Sequence, residues 1–215
     1  MRKILCTVFA FVWALSSFAQ TGLEIVNRMN EMLASHESDG NIFYIDIKMP
    51  IVGAITTKTM SLGDKARMEF NVSEINVITY MDKTTQWMYT PGNNEVIITG
   101  ATAKSNNPAV DSAMDMGMFD DIADGYDISI KSENLVKWEL ACKKKKKNPD
   151  NDYPKNITIE VRKETYQPLS LSTKMMGMTF TMRDFTFGLS EDMVTFNPEK
   201  YPGVKIIDQR EEKKE

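Results

Sequence analysis

The feature that most constrains the fold is the alternation of apolar and polar residues, with a period of two positions, along most of the chain. Ala66, Met68 and Phe70 share one side of a short segment, and Arg67 and Glu69 share the other. Successive side chains of a strand point to opposite faces, so this alternation predicts half-buried β-strands. Many such segments follow one another, separated by turn residues. They predict an antiparallel sheet in meander order.

Two details are predicted near the end of this meander. Residues 178–182 alternate, but the alternation then shifts by one residue, which predicts a β-bulge near Asp184. A further strand is predicted at residues 193–196.

Two segments depart from this period and predict helices. Residues 21–36 place apolar side chains at helical spacing, and Thr21 with Glu24 forms a capping-box pattern at the start. The apolar stripe consists of Leu23, Val26, Met29, Met32 and Leu33. Residues 108–124 also have a helical pattern, weakened by Gly117. A long meander exposes an apolar face, so we expect both helices to lie across a curled sheet.

The first residues have the pattern of an export signal. Arg2 and Lys3 precede an apolar run at residues 4–15, and Ala19 fits the small-residue rule for cleavage. We therefore expect a signal peptide at residues 1–19, cleavage after Ala19, and a periplasmic protein that forms a single domain over residues 20–215. An uncleaved membrane anchor is the alternative. Beyond the signal, Cys142 is the one cysteine, so no internal disulfide can form.

Charge and motifs argue against several function classes. The net charge is −4, which disfavours nucleic acid as a partner. His36 is the single histidine and is expected to cap carbonyl groups at a helix end, and Cys142 is expected to pack in the core. The chain has no glycine-rich phosphate loop and no Cys/His cluster. Asp120, Asp121 and Asp124 lack the spacing of a calcium loop. The sequence thus predicts a protein that is not an enzyme and has no cofactor and no metal site.

Methionine is unusually frequent, with 16 in the chain. Because its side chain is flexible and polarizable, methionine suits surfaces that must fit variable apolar partners. An acyl chain is such a partner, although methionine can equally replace leucine in an ordinary core. A third interpretation is copper binding by the thioethers of Met114, Met116 and Met118.

Two short sequences resemble one known family. Residues 85–91 read T-Q-W-M-Y-T-P, and residues 195–198 and 201–210 read T-F-N-P and Y-P-G-V-K-I-I-D-Q-R. They are similar, in the same order, to a strand-and-turn and to the closing segment of LolA-like carriers of outer-membrane lipoproteins. The predicted element order matches as well. The resemblance implies a mainly β (α+β) fold: an unclosed antiparallel half-barrel with helices covering the concave face, as in LolA and LolB.

The same resemblance implies a function. Such a protein would be a monomeric periplasmic carrier that binds the acyl chains of lipoproteins or lipids for transfer toward the outer membrane. Its partners would be an inner-membrane release complex and an outer-membrane acceptor. The basic-proline turn of the carriers is absent here, and Arg67 is the candidate for their second arginine, a polar contact to a lid. Lipoprotein transfer itself therefore stays open, and a non-transporting envelope interaction module with a filled core is the alternative.

Eleven apolar residues are predicted to line the cavity of this half-barrel, in five groups along the chain. They are Met68 and Phe70; Met81; Trp87 and Tyr89; Met114, Met118 and Phe119; and Met178, Phe180 and Met182.

Overall fold

The structure, a computed structural model, describes residues 20–50, 53–72, 75–101, 120–147 and 154–210. The predicted signal peptide and most of the predicted second helix, including Met114, Met116, Met118 and Phe119, lie outside these residues.

Within the described ranges, twelve strands form a single sheet, and three α-helices accompany it. The strands are β1 (Asn41–Met49), β2 (Gly53–Leu62), β3 (Lys65–Val72), β4 (Ile75–Met81), β5 (Thr85–Thr90), β6 (Glu95–Gly100), β7 (Tyr126–Glu133), β8 (Lys137–Lys144), β9 (Asn156–Arg162), β10 (Pro168–Met175), β11 (Met178–Phe187) and β12 (Lys205–Asp208). The helices are α1 (Gly22–Ser35), α2 (Asp120–Gly125) and α3 (Glu191–Val194).

The strand order is β12-β6-β5-β4-β3-β2-β1-β11-β10-β9-β8-β7. Two antiparallel meanders, β1 to β6 and β7 to β11, meet where β1 pairs with β11. Among the described strands β7 and β12 stand at the two ends, so the sheet does not close. The prediction of a mainly β fold with an unclosed antiparallel sheet is confirmed.

The last strand differs from the meander pattern, since β12 runs parallel to β6. The chain after β11 crosses the sheet before β12 forms. Along this path α3 contacts β2 and β3, and Tyr201 then reaches Tyr89 on β5. We call residues 191–204 the C-terminal segment. Its crossing brings β12 beside β6 in the same direction.

Helix α1 begins as the sequence predicts. The Thr21 side chain accepts a hydrogen bond from the Glu24 amide at 3.2 Å, and the Glu24 carboxylate accepts one from the Thr21 amide at 2.8 Å. A Cβ at Gly22 would lie 2.9 Å from the Ile128 side chain, so this glycine permits close packing of α1 on β7. The predicted apolar stripe is shifted, because Leu23 is 45% exposed while Ile25 is buried.

The main core lies between α1 and one face of the sheet. Ile25, Val26 and Met29 of α1 belong to one buried cluster with Phe43 and Ile45 of β1. We call the face that carries Phe43 and Ile45 the inner face, and the opposite one the outer face. The residues that β7 to β11 contribute to this cluster are Tyr126, Trp138, Leu140, Cys142, Ile157, Ile159, Val161, Leu171, Met182 and Phe185.

Strand β11 contains the predicted β-bulge. Ile42 pairs with Thr186 and Tyr44 with Arg183, so two residues of β11 oppose Phe43. Asp184 has a φ of +58°, a left-handed conformation that aspartate tolerates better than bulkier residues. The prediction of a bulge near Asp184 is confirmed.

The prediction of a strand at residues 193–196 is wrong, since residues 191–194 form α3. Val194 is buried, and the Met193 carbonyl accepts a hydrogen bond from Arg67 at 3.5 Å. Because this segment lies on the sheet rather than beside a strand edge, it has no ladder to join.

Candidate binding face

The pairing of residues between neighbouring strands shows which side chains lie on the inner face. Directly opposite residues of paired strands lie on the same face, as do alternate residues of one strand. Phe43 pairs with Thr59, and Thr59 pairs with Met68. In the next row Ile45 pairs with Met182 on one side, and with Thr57, the partner of Phe70, on the other. The inner face therefore runs from β3 across β2 and β1 to β11.

Six of the predicted cavity residues share this inner face. They are Met68, Phe70 and Met81 on β3 and β4, and Met178, Phe180 and Met182 on β11. Met68 and Met182 are buried, and the other four are half-buried. Residues about 100 positions apart in sequence thus form one apolar surface, continuous with the core beneath α1.

Two predicted cavity residues, Trp87 and Tyr89, lie on the outer face. Arg67 pairs with Tyr80, and Tyr80 pairs with Trp87, so all three point away from Met68, the neighbour of Arg67. The remaining three, Met114, Met118 and Phe119, lie outside the described residues. The structure divides the predicted set between two faces, because an aromatic strand residue fits either one.

Trp87 and Tyr89 pack instead against the C-terminal segment. Phe196 stacks on Trp87 with ring centroids 6.0 Å apart, and Tyr201 lies 4.2 Å from Tyr89. The hydroxyl groups of Tyr80 and Tyr201 are 2.7 Å apart, and burial raises the pKa of Tyr80 well above its ordinary value. We call these aromatic residues, Tyr80, Trp87, Tyr89, Phe196 and Tyr201, the outer cluster. Sequence reasoning missed it, although Phe196 and Tyr201 in the segment that carries the family resemblance were an available signal.

Arg67 contacts the outer cluster. Its guanidinium lies 5.2 Å from the centre of the Tyr80 ring, and it forms an ion pair with Glu69 at 2.7 Å. Together with its hydrogen bond to the Met193 carbonyl, these contacts fix the start of the C-terminal segment. Arg67 therefore contacts the C-terminal segment and Tyr80 on the outer face.

The inner face also carries polar side chains that the cavity prediction did not include. Thr57 and Thr59 on β2 and Thr79 on β4 are buried, and each lies opposite an apolar residue of the inner face. The threonine-rich sequence of β2 was the available signal. Three buried hydroxyl groups thus lie among the apolar side chains of the inner face.

Two candidates for chemistry have structural roles. Cys142 is buried in the main core as expected, and this burial raises the pKa of its thiol to about 12, so the reactive thiolate is disfavoured. His36 ends α1 as predicted, but its ring stacks on Phe187 and its Nδ1 lies 2.8 Å from an Asp39 carboxylate oxygen. The expected capping of helix carbonyls by this ring is not what the side chain does.

A shallow depression of about 560 Å³ lies between the end of α1 and the β2–β3 turn. Its lining includes Glu37, Asp64, Lys65 and Glu191, and none of the six inner-face residues. Within the described ranges, no group of three or more His, Cys, Asp or Glu residues is placed to hold a metal ion. None of the helices described here is long and apolar enough to cross a membrane.

Comparison with known proteins gives likeness of structure only. No family model matches the chain, and no curated protein matches it. Among solved structures, an uncharacterized conserved protein from Thermus thermophilus is 14% identical with a TM-score of 0.47, covering 86% of this chain and 98% of that one. The chain is also similar to the Pseudomonas aeruginosa MucA/MucB complex, at 14% identity and a TM-score of 0.45, covering 82% of this chain and 62% of the matched one.

A LolA superfamily protein from Nitrosomonas europaea is also a structural neighbour. It is 10% identical with a TM-score of 0.36, and the match covers 83% of this chain and 99% of that one. The sequence resemblance predicted a LolA-like fold, and a LolA superfamily protein is among the chains that this structure is similar to.

Proposed function

We propose that this protein is a periplasmic carrier that binds acyl chains of lipids or lipoproteins on its inner face and carries them toward the outer membrane. The observation that supports this is the convergence of Met68, Phe70 and Met81 with Met178, Phe180 and Met182 on one face of the sheet. Each methylene that a bound acyl chain buries contributes about 0.8 kcal/mol to the binding free energy. The binding of an acyl chain therefore stays favourable after the entropy cost of ordering it is subtracted.

The chemistry of the inner face favours binding over catalysis. Its named side chains are aliphatic groups, thioethers, aromatic rings and hydroxyl groups, while Cys142 is buried in the main core and His36 stacks on Phe187. Flexible methionines adapt to chains of different length, which suits a protein that must both load and release. We propose that the protein acts as a monomer after removal of residues 1–19, with membrane-bound partners in the envelope.

A second candidate function is an envelope interaction module that carries no cargo. It is favoured by one observation: Met68 and Met182 are both only 5% exposed, so their part of the inner face is filled in this structure. The two functions differ in whether the filling side chains give way to a ligand.

Co-purification tests the carrier function directly. Protein isolated from the periplasm and analysed by native mass spectrometry is expected to carry acyl species that dissociate on collisional activation. Phe180→Asp places a carboxylate on the apolar inner face and is expected to abolish this adduct, because a buried unpaired charge is costly. Protein with no acyl adduct from any preparation contradicts the carrier and favours the interaction module.

Thr179→Asp is the matched control. Thr179 is the neighbour of Phe180 on β11, is also half-buried, and points to the outer face. This variant is expected to keep the adduct, and circular dichroism of both variants confirms that the sheet has formed. Equal loss in the two variants would mean that the inner face is not the binding surface.

A further inference from the structure

The hydroxyl group of Thr59 is the least expected feature of the inner face. Thr59 is 1% exposed and lies in one row between Phe43 and Met68. Its hydroxyl oxygen is fully buried and, among the residues that the structure describes, has no hydrogen-bond partner. Most buried polar side-chain atoms in native proteins are hydrogen-bonded, so this hydroxyl needs an explanation.

An unpaired buried hydroxyl destabilises the free protein. Valine has nearly the same shape and would fill the position without this cost. An apolar surface built only for folding therefore gains nothing from threonine here. A hydroxyl that is unpaired in the free protein is instead suited to a partner that arrives with the ligand.

The position of Thr59 fits a ligand that covers the six inner-face residues. Strand β2 lies two strands from β4, which carries Met81, and two strands from β11, which carries Met182. Neighbouring strands are about 4.8 Å apart, so Met81 and Met182 each lie about 10 Å from β2, measured across the strands. A polar group bound at Thr59 thus leaves apolar surface on both sides for a hydrocarbon chain.

We propose that the Thr59 hydroxyl donates a hydrogen bond to the carbonyl oxygen of an acyl ester or amide bound on the inner face. This proposal rests on the proposed carrier function and specifies its ligand: a chain with a carbonyl group, distinguished from a plain hydrocarbon. Met68 lies opposite Thr59 on β3, and its three rotatable bonds allow its side chain to move aside for a carbonyl group. Thr59 is then a specificity residue, and the apolar residues around it supply affinity.

The test compares two probes that differ in the carbonyl. Methyl palmitate and hexadecane each compete with the fluorescent dye N-phenyl-1-naphthylamine for the wild-type protein and for Thr59→Val. In Thr59→Val the apparent affinity for methyl palmitate is expected to fall about five- to tenfold, the loss of one neutral hydrogen bond, while that for hexadecane stays unchanged. Thr59→Ser retains the hydroxyl and is expected to keep the preference for the ester.

Thr85→Val is the matched control, since Thr85 is also a buried strand threonine but lies on the outer face, two residues from Trp87. It is expected to leave the ester preference intact; a loss equal to that of Thr59→Val would overturn the assignment to Thr59. Unchanged ester affinity in Thr59→Val also overturns the proposal but leaves the carrier function standing. If neither probe displaces the dye from wild-type protein, the carrier function fails as well.

Stability of the free protein gives a second readout. Because the hydroxyl has no partner, Thr59→Val is expected to raise the Tm by about 2–4 °C. A lower Tm would show that the hydroxyl is already hydrogen-bonded in the free protein, and would overturn the proposal.

Discussion

The two halves of the sheet bury their residues differently. In β8 to β11 one face is apolar and packs under α1, while the other carries polar groups such as Glu139, Glu160 and Arg183. In β2 to β6 both faces carry large apolar side chains, for example Met68 on the inner face and Tyr80 on the outer face. The C-terminal segment covers the outer side of this half.

The difference concerns stability, because the proposed binding surface extends over both halves, from β4 to β11. Helix α1 and β7 to β11 form a closed core whose central side chains are fully buried. The C-terminal segment covers the outer face of β2 to β6, whereas their inner face holds both buried residues, such as Thr59 and Met68, and half-buried ones, such as Phe70 and Met81. The half-buried residues of the inner face, on β3, β4 and β11, lie where a ligand is proposed to bind.

The largest expected effect is on the closed core. Leu140→Ala removes a fully buried side chain and is expected to lower the free energy of unfolding by about 2–5 kcal/mol, through lost burial and the cavity left behind. Met81→Ala, on the half-buried inner face of β4, is expected to cost about 1 kcal/mol or less. Urea denaturation of both variants checks this. Equal losses of unfolding free energy in the two variants would mean that the two halves do not differ in how much these side chains stabilise the fold.

A smaller effect is expected from the outer cluster. Phe196→Ala removes stacking against Tyr80 and Trp87 and is expected to cost about 2 kcal/mol. The C-terminal segment then covers Trp87 less well, so the emission maximum of Trp87 should shift to longer wavelength. The measurement uses protein that lacks residues 1–19 and carries Trp138→Phe, which leaves Trp87 as the one tryptophan.

The control for Phe196→Ala is Phe187→Ala. The Phe187 ring stacks on His36, away from the outer cluster. This variant should leave the Trp87 emission unchanged. An unshifted spectrum in Phe196→Ala would contradict the role of the C-terminal segment as the cover of the outer face.

The smallest effect concerns pH. The Arg183 guanidinium, with its Nε 2.6 Å from an Asp46 carboxylate oxygen, holds the pKa of that carboxyl below its ordinary value of 3.8. A carboxyl with a lowered folded-state pKa contributes stability that is present above the unfolded-state pKa and is lost as the pH falls through the folded-state value. The effect is small because Arg183 is partly exposed to solvent.

Asp46→Asn provides the comparison. The difference in Tm between wild type and this variant is expected to be constant from pH 5 to pH 7 and to shrink as the pH falls below about 4. Thermal unfolding followed by circular dichroism measures it. A difference that does not change with pH would show that the ion pair contributes nothing through its charge.

Local features of the fold were predictable because their causes lie within a few residues. The capping box of Thr21 and Glu24 and the bulge at Asp184 follow from short patterns, and the structure has both. The parallel pairing of β12 with β6 was not predictable, because it depends on where the C-terminal segment crosses the sheet.

The candidate site was predictable in part for the same reason. Alternation groups Met178, Phe180 and Met182 on one face, and the structure brings them together with Met68 on the inner face. Alternation does not say which face is inner where both are apolar, so Trp87 was grouped with the inner face although it lies on the other side.

The sequence by itself determined that this chain forms an N-terminal helix and a long antiparallel sheet, because hydrophobic period and capping act locally. Only the tertiary structure decided which side of β2 to β6 the C-terminal segment covers. That choice depends on contacts between residues more than 100 positions apart, such as Tyr80 with Tyr201. Burial on the outer face by that segment is what leaves the methionines and threonines of the inner face together as a candidate binding surface.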